Sequence, residues 1–263
     1  MQITNLAYFY ERSRKVRGGK RVWVKDSNGE GRKNVLLGGT ILNPKKGFDH
    51  LYAAQLVQYT PAQGCLIFRS FKTKTDTAAN ATTVVIEADG YSDAPEVGMY
   101  VMVAPDSVKV KSIASTSELS VANDKVDLSD ATFTETETDY TGTYAKITAV
   151  VYDEANEKFT LTLENALATA KIDAGTILVE ADAAADAAED SPTGVCKVLV
   201  PKPNTFIEAD RDLMPTEGYG LTGEANYSIS TVYDKQAWIE RMQPLPAYVL
   251  ANNRSLIDGI FWI

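Results

Sequence analysis

Residues 144–163, YAKITAVVYDEANEKFTLTL, decide the fold class of this chain. In the second half of the stretch, apolar residues and threonines alternate strictly: Phe159, Thr160, Leu161, Thr162 and Leu163. A period of two is that of a β-strand with one buried face. The polar run 153–157 separates this strand from the apolar run that precedes it. The stretch therefore predicts two neighbouring strands of an antiparallel sheet.

The sequence around this stretch is also typical of β structure. Three further strands are predicted, over 83–87, 98–104 and 175–180. Residues 107–140 are rich in Ser, Thr, Asp and Glu, with short β-prone pieces between them. Regular short strands with almost no helix are typical of sandwiches and barrels. The chain is thus predicted to be mainly β with a few short helices, and 84–181 to be a β-sandwich or β-barrel domain.

The regions on either side are less regular. Residues 1–83 read as a basic N-terminal arm and a β segment, and 192–263 as a C-terminal segment that could pack with 22–83. Residues 182–191 read as a linker or short exposed helix, because they lack an apolar stripe. The patterns predict strands over 21–25, 34–37, 62–71, 195–200 and 222–232, with a hairpin joining the first two. They predict short helices over 48–59, 234–242 and 248–257.

The charge of the chain is divided between two parts. Residues 1–46 hold 11 Lys and Arg against three Asp and Glu, a net charge of +8. The remaining residues hold 15 against 32, a net of −17, and the whole chain has a net charge of −9. A basic arm on an acidic body indicates a subunit that docks onto a partner. This partner could be an acidic protein, a nucleic acid or a copy of the same chain.

Two groups of residues are predicted to bind that partner. The basic group comprises Arg12, Arg14, Lys15, Arg17, Lys20 and Arg21, and the apolar C-terminal group comprises Phe261, Trp262 and Ile263. The basic group could contact phosphates, with Trp23 stacking on a base. The acidic body would repel nucleic acid, so contact with a neighbouring subunit is preferred. The C-terminal end is either the last strand of a core or an anchor in a neighbouring chain.

The motifs of common catalytic sites do not occur in the sequence. His50 is the only histidine and is expected to be structural, at a helix start near Asp49. Gly18, Gly19 and Lys20 lack the remainder of a phosphate loop. The acidic run 208–212 does not meet the EF-hand pattern and is expected to be a solvated loop.

Cys65 and Cys196 are expected to be buried thiols, with a long-range disulfide as the alternative. No enzyme activity, cofactor or metal is predicted.

No signal peptide and no membrane-spanning segment is predicted. The opening residues lack a sustained apolar run, and the densest apolar stretch, 97–104, is too short to cross a bilayer. Asp182, Asp186, Glu189 and Asp190 are expected to form a solvated acidic face.

The middle region also resembles a known group of proteins. Residues 146–150 (KITAV), 159–164 (FTLTLE) and 174–181 (AGTILVEA) are similar to the β modules of tailed-phage head proteins, namely auxiliary or decoration capsid proteins and head-fibre proteins. The resemblance implies a virion component that is made in the host cytoplasm and binds capsid subunits or its own copies, with no catalytic residues.

Two alternative functions belong to other classes. A glycan- or cell-surface-binding fibre module would need exposed aromatic residues, for which Tyr91, Tyr100 and Tyr219 are candidates. A carboxylate-dependent hydrolase would need a cleft with two acids a short distance apart.

Overall fold

The structure is a computed structural model. It describes residues 34–43, 50–51, 55–60, 64–90, 92–105, 110–113, 121–122, 125–126, 133–136, 141–203, 205–207, 211–212, 225–232, 236–237, 242–252 and 261–262. These residues form a mainly β protein with short helices, which confirms the predicted fold class. None of the helices in these ranges is long and apolar enough to cross a membrane.

The strands of the described ranges, in chain order, are β1 (Asn34–Ile41), β2 (His50–Leu51), β3 (Leu56–Thr60), β4 (Gly64–Ile67), β5 (Ser70–Lys72), β6 (Thr83–Glu87), β7 (Tyr100–Val103), β8 (Val110–Ile113), β9 (Val121–Ala122), β10 (Lys125–Val126), β11 (Phe133–Thr136), β12 (Thr141–Asp153), β13 (Lys158–Leu163), β14 (Ile177–Asp182), β15 (Val195–Val198), β16 (Thr205–Ile207), β17 (Arg211–Asp212), β18 (Ala225–Val232), β19 (Gln236–Ala237) and β20 (Phe261–Trp262). The helices are α1 (Ala184–Ala187) and α2 (Ala247–Asn252).

Five strands from the two ends of the chain close into a first barrel in the order β1, β18, β16, β3, β4. Strand β1 pairs antiparallel with β18 along its whole length, from Asn34 opposite Val232 to Ile41 opposite Ala225. A parallel contact between Ile41 and Cys65 closes the ring. The barrel interior is apolar and includes Ile41, Val57, Cys65, Ile67 and Ile207. Strands on both sides of the middle region therefore form one body.

The middle of the chain forms a second barrel. The order β14, β7, β12, β13, β6 is continuous, and β5 pairs with the other side of β14. A bridge between Thr73, which follows β5, and Ile86 of β6 brings the sheet back to its start. The ring encloses an apolar core that includes Phe71, Val84, Ile86, Val101, Ala145, Ile147, Phe159, Leu161, Leu163 and Leu178.

The predicted alternation of strand β13 decides which side chains fill this core. Phe159, Leu161 and Leu163 are buried, whereas Thr162 is exposed. Strands β6, β13 and β14 have the bounds or nearly the bounds that the sequence predicted. A period of two is reliable here because one face is inside the barrel and the other faces outward.

Strand β12 is long because it belongs to two rings. The first residues of β12 pair with β15, and β15 also pairs with β14. The four strands β14, β7, β12 and β15 therefore form a smaller ring beside the second barrel. The later residues of β12 pair with β13. The register between β12 and β13 shifts between Ile147 and Ala149, which is a β-bulge. Such a bulge bends a strand and so lets β12 follow both curvatures.

The smaller ring is filled by side chains from several parts of the chain. Met102, Tyr144, Val179, Cys196 and Val198 come from its strands. Leu56 and Phe68 reach it from the first barrel, and Met242, Leu245, Tyr248 and Val249 reach it from the segment around α2. This cluster holds side chains of the first barrel, of the strands shared with the second barrel and of the C-terminal segment, and it is distinct from the cores inside the two barrels.

The predicted helix over 48–59 is wrong. Residues 50–51 form β2 and residues 56–60 form β3. Leu56 packs in the core of the smaller ring, and its neighbour Val57 packs in the core of the first barrel. Both faces of β3 are therefore buried, so its apolar residues do not alternate with polar ones. A short strand of this kind is not distinguishable from a helix by periodicity.

The predicted helix over 234–242 is also wrong where the structure describes it, because residues 236–237 form β19, which pairs parallel with β20. This pairing joins positions far apart in the sequence and has no local signal. The helix predicted over 248–257 is confirmed as α2 up to Asn252, and its remainder lies outside the described residues.

The predicted hairpin of residues 21–25 with 34–37 is described only in its second strand. Strand β1 covers the predicted strand over 34–37, but its described partners are β18 and β4. The strand proposed for 21–25, and with it the hairpin, lies outside the described residues. The division of the chain at residues 83, 181 and 191 stays a prediction, although the second barrel draws β5 from before it and the smaller ring draws β15 from after it.

Candidate functional site

Most of the residues predicted to bind a partner lie outside the described ranges. These are Arg12, Arg14, Lys15, Arg17, Lys20, Arg21 and Ile263. Phe261 and Trp262 form β20, opposite Gln236 and Ala237 of β19. The C-terminal end is therefore paired with its own chain through the backbone. Its role as an anchor for a neighbouring subunit stays a prediction.

The single histidine lies in a strand, so its predicted position at a helix start is wrong. His50 pairs with Asp212 in the short antiparallel pair of β2 and β17. The pairing places the end of the acidic run 208–212 beside the histidine, while residues 208–210 lie outside the described ranges. Among the described residues, no group of three or more His, Cys, Asp or Glu side chains could hold a metal ion.

Arg69 is a buried charge that lies between β4 and β5, where the chain passes from the first barrel to the second. The Arg69 side chain is only 4% exposed. Its Nη1 lies 2.9 Å from Oε2 of Glu180 in β14, and its Nε lies 3.3 Å from Oδ2 of Asp93. One guanidinium thus holds two carboxylates of the second barrel. We call Arg69, Asp93, Glu180, Asn43 and Gln55 the polar joint.

The two amides of the polar joint come from the first barrel. Asn43, which follows β1, donates from Nδ2 to the carbonyl of Ile67 at 2.8 Å and to Glu180 at 3.1 Å. Arg69 Nη2 donates to the carbonyl of Asn43 at 2.7 Å. Gln55, which precedes β3, donates from Nε2 to Asp93 at 2.7 Å. The joint therefore connects the two barrels by polar contacts on both sides of Arg69.

The electrostatics of the polar joint explain why a buried arginine is tolerated. Burial by itself lowers the pKa of Arg69, because it removes water from the cation. The attraction of Glu180 and Asp93 outweighs this effect, and the pKa is raised above its ordinary value. Paired and hydrogen-bonded charges are the form in which proteins bury ions. The sequence signal for this joint was the single charge in the apolar run CLIFRSF, which the sequence interpretation did not use.

A second polar contact holds α1 against the sheet. Asp186 accepts hydrogen bonds from Tyr144 Oη at 2.7 Å, from Thr193 Oγ1 at 2.7 Å and N at 2.9 Å, and from Gly194 N at 3.0 Å. The bonds from Thr193, Tyr144 and Gly194 lower the pKa of Asp186 to about 2. The prediction of a solvated acidic face is therefore wrong for Asp186, which serves as a structural acceptor.

The two cysteines are buried free thiols, as predicted. Cys65 lies in the first barrel and Cys196 in the smaller ring. Burial raises the pKa of both thiols to about 11. Since the thiolate is the nucleophile, neither cysteine is activated for covalent chemistry at neutral pH.

A shallow groove of about 310 Å³ lies at one end of the second barrel. Val103, Leu167, Ala168 and Ile172 are its apolar lining residues, and Gly142 lines it near the start of β12. On the rim, Lys171 contacts Asp76 at 2.7 Å and Asp173 at 2.8 Å, and all three side chains are more than half exposed. These exposed ion pairs leave no desolvated acid pair at the rim.

The structure describes one of the three aromatic residues considered for glycan binding. Tyr100 packs edge-on against Tyr144, with ring centroids 5.6 Å apart, and Lys146 Nζ lies 5.7 Å from its ring centroid. Tyr91 and Tyr219 lie outside the described residues, so an aromatic cluster stays a prediction.

Comparison with known proteins gives no match: neither a protein-family model, nor a curated protein, nor a solved structure is similar to this chain.

Proposed function

We propose that this chain is a non-enzymatic virion structural protein that decorates or bridges a phage capsid through contacts with capsid subunits or its own copies. The observation that carries the proposal is the position of β1. This strand begins at Asn34, within the basic first 46 residues and after the basic group that ends at Arg21, and pairs with β18 over eight residues of the first barrel. Strand β1 thereby ties the chain that follows the basic group to the first barrel, so a partner bound by the arm is held close to the body.

The charges of the chain support docking onto an acidic surface. The first 46 residues carry +8 and the remainder carries −17. Opposite charges on the arm and on neighbouring bodies speed association and set its orientation. The alternative is that the arm contacts packaged nucleic acid.

The two barrels provide the rigid body that this role requires. The polar joint connects them through Arg69, and the shared core includes Leu56 and Phe68 from the first barrel. Load placed on the arm would therefore pass through β1 into the first barrel and from there into the second. The resemblance of residues 146–150, 159–164 and 174–181 to phage head proteins supports the same assignment.

The test is to delete residues 1–21, which leaves β1 and both barrels in place. We expect the shortened chain to keep its β circular-dichroism spectrum and thermal transition but to be absent from purified particles. A second variant keeps the length of the arm and replaces Arg12, Arg14, Lys15 and Arg17 with glutamine. It should also lose incorporation, because charge is what the arm supplies. Normal incorporation of the shortened chain would refute the proposal.

A further inference from the structure

The segment around α2, residues 242–252, is attached to the body by its side chains. We call it the α2 segment. In the part of the chain that the structure describes, it adds no strand to any sheet. Met242, Leu245, Tyr248 and Val249 are each at most 7% exposed and pack in the core of the smaller ring. A segment held in this way can leave the body without breaking a β ladder, so its local stability is expected to be lower than that of the strands.

Polar contacts fasten the α2 segment on either side of Arg69. Gln243 donates from Nε2 to the carbonyl of Phe68 at 2.9 Å, and Ser70 Oγ donates to the carbonyl of Pro244 at 2.5 Å. Phe68 and Ser70 are the two chain neighbours of Arg69. Both contacts therefore depend on where Arg69 holds the backbone.

A further contact leads to the same ion pair through Glu180. Tyr248 Oη donates to the carbonyl of Val200 at 3.3 Å. The preceding residue, Leu199, donates from its backbone N to the carbonyl of Glu180 at 3.0 Å, and the backbone N of Glu180 donates to the carbonyl of Arg69 at 3.3 Å. We call the surface formed by residues 68, 70 and 200 the seat. The seat is thus built on the backbone of the two residues whose side chains form the buried ion pair.

The charges of the polar joint decide whether the seat stays closed. Asp93 is 4% exposed and Glu180 is 14% exposed, and both lie against the guanidinium of Arg69. Without that cation the two carboxylates would have to regain water, because an unpaired buried charge is strongly unfavourable. Strand β14, which carries Glu180, is paired with β5 on one edge and with β7 on the other. We therefore expect water to enter where no ladder has to break, which is at the α2 segment.

We propose that the polar joint is a latch for the α2 segment. The segment stays in its seat while Arg69 is paired with Asp93 and Glu180, and it is released, with both barrels still folded, when that pairing is lost. Release uncovers the apolar surface of the smaller ring on which the segment packs. A change at the connection between the two barrels is thereby converted into exposure of an apolar surface. The latch does not depend on the proposed function.

Hydrogen exchange of the native chain tests the latch. The amides of Val249 and Leu250 donate to the carbonyl of Pro246 within the segment, and a helix this short does not persist once it is undocked, so their exchange reports release. In Arg69→Met we expect the ratio of their exchange rates to those of the β13 amides to rise at least about tenfold. Phe159→Ala is the matched control, because it destabilises the second barrel and should not raise this ratio.

Two further variants separate charge from packing. Arg69→Lys keeps one positive charge but replaces the guanidinium fork with a single ammonium, so it should raise the ratio less than Arg69→Met does. Combining Arg69→Met with Asp93→Asn and Glu180→Gln removes the three charges together. This triple variant should return the ratio to within roughly threefold of that of the unaltered chain.

The comparison of these variants can overturn the latch. A ratio as high in the triple variant as in Arg69→Met would show that packing, and not charge, holds the segment. Equal acceleration of the α2 and β13 amides in Arg69→Met would show that the segment unfolds only with the barrels. If Arg69→Met does not fold, Arg69→Lys and the triple variant carry the test, and a ratio unchanged in Arg69→Lys would overturn the proposal.

Discussion

Tyr144 and Asp186 are joined by a hydrogen bond of 2.7 Å between the phenol Oη and the carboxylate Oδ2, across 42 positions of sequence. The contact fixes α1, which has no buried residue of its own, to strand β12. Burial and the adjacent carboxylate raise the pKa of Tyr144 to about 12, so the phenol remains a donor over the whole physiological range.

Acid should weaken the fold through Asp186. Its pKa is about 2 in the folded chain, against about 3.9 in unfolded chains. A depressed folded pKa gives stability that is present above pH about 4 and is lost as the pH falls through about 2. Asp186→Asn should lower the melting temperature at pH 7 and remove this contribution to the acid dependence. Thermal unfolding between pH 7 and pH 2 measures it. Asp190→Asn, at an exposed position, is the control and should leave the profile unchanged.

Removing the charge of Arg69 should destabilise the chain strongly. Arg69→Met would leave Asp93 and Glu180 buried without their cation, which typically costs about 3–5 kcal/mol. Lys72→Met is the matched control, because Lys72 forms an exposed pair with Glu87 worth at most about 1 kcal/mol. Urea unfolding followed by circular dichroism measures both free energies. Equal losses for the two variants would contradict the importance of the polar joint.

The core of the second barrel should be sensitive to cavities. Phe159→Ala should cost about 3–5 kcal/mol of unfolding free energy, since the ring is 2% exposed in the barrel interior. Val151→Ala on the outside of the same barrel, where the side chain is 54% exposed, should change stability by less than about 0.5 kcal/mol. Urea unfolding distinguishes the two. A small loss for the phenylalanine variant would contradict the ring-shaped core.

The cysteines should react only after unfolding. With thiol pKa values of about 11 and burial in two different cores, Cys65 and Cys196 should label slowly with a thiol reagent at pH 8. Both should label at once in concentrated urea. A variant with Thr162→Cys supplies an exposed control thiol that should react in the native state. Rapid native labelling of Cys65 would show that the first barrel opens readily.

Assembly driven by the charge division should depend on salt. Contacts between an exposed basic arm and an acidic body weaken as ionic strength rises, because the Debye length falls from about 10 Å at 0.1 M to about 3 Å at 1 M. We expect incorporation into particles to fall over this range while the melting temperature changes little. Incorporation measured by sedimentation, with unfolding as the parallel readout, checks this. Salt-independent incorporation would argue for apolar docking instead.

The sequence predicted the strands that have one buried face and one solvent-exposed face. Strand β6 was predicted with its correct bounds from a β-branched run, and β13 from the alternation of apolar and polar residues, which reports an inside and an outside. Periodicity failed at β3, where Leu56 and Val57 point into two different cores. It also gave no means of pairing β1 with β18, since that contact depends on the closed barrel and not on local pattern.

The polar contacts were even less accessible from sequence. Arg69 meets Glu180 across 111 positions and Asp93 across 24, and no spacing rule joins them. Asp186 was placed with its acidic neighbours on a solvated face because composition does not reveal hydrogen-bond donors that the fold brings close. The residues that the sequence predicts to bind a partner stay a prediction, which the assembly experiments address.

Strand β12 is shared by the second barrel and the smaller ring, and β7 and β14 are shared as well. Neither ring can lose its strands while the other keeps them, so the two should melt in a single cooperative transition in spite of their separate cores. A chain built in this way is expected to unfold its middle region as one unit, without a stage that exposes unpaired strand edges.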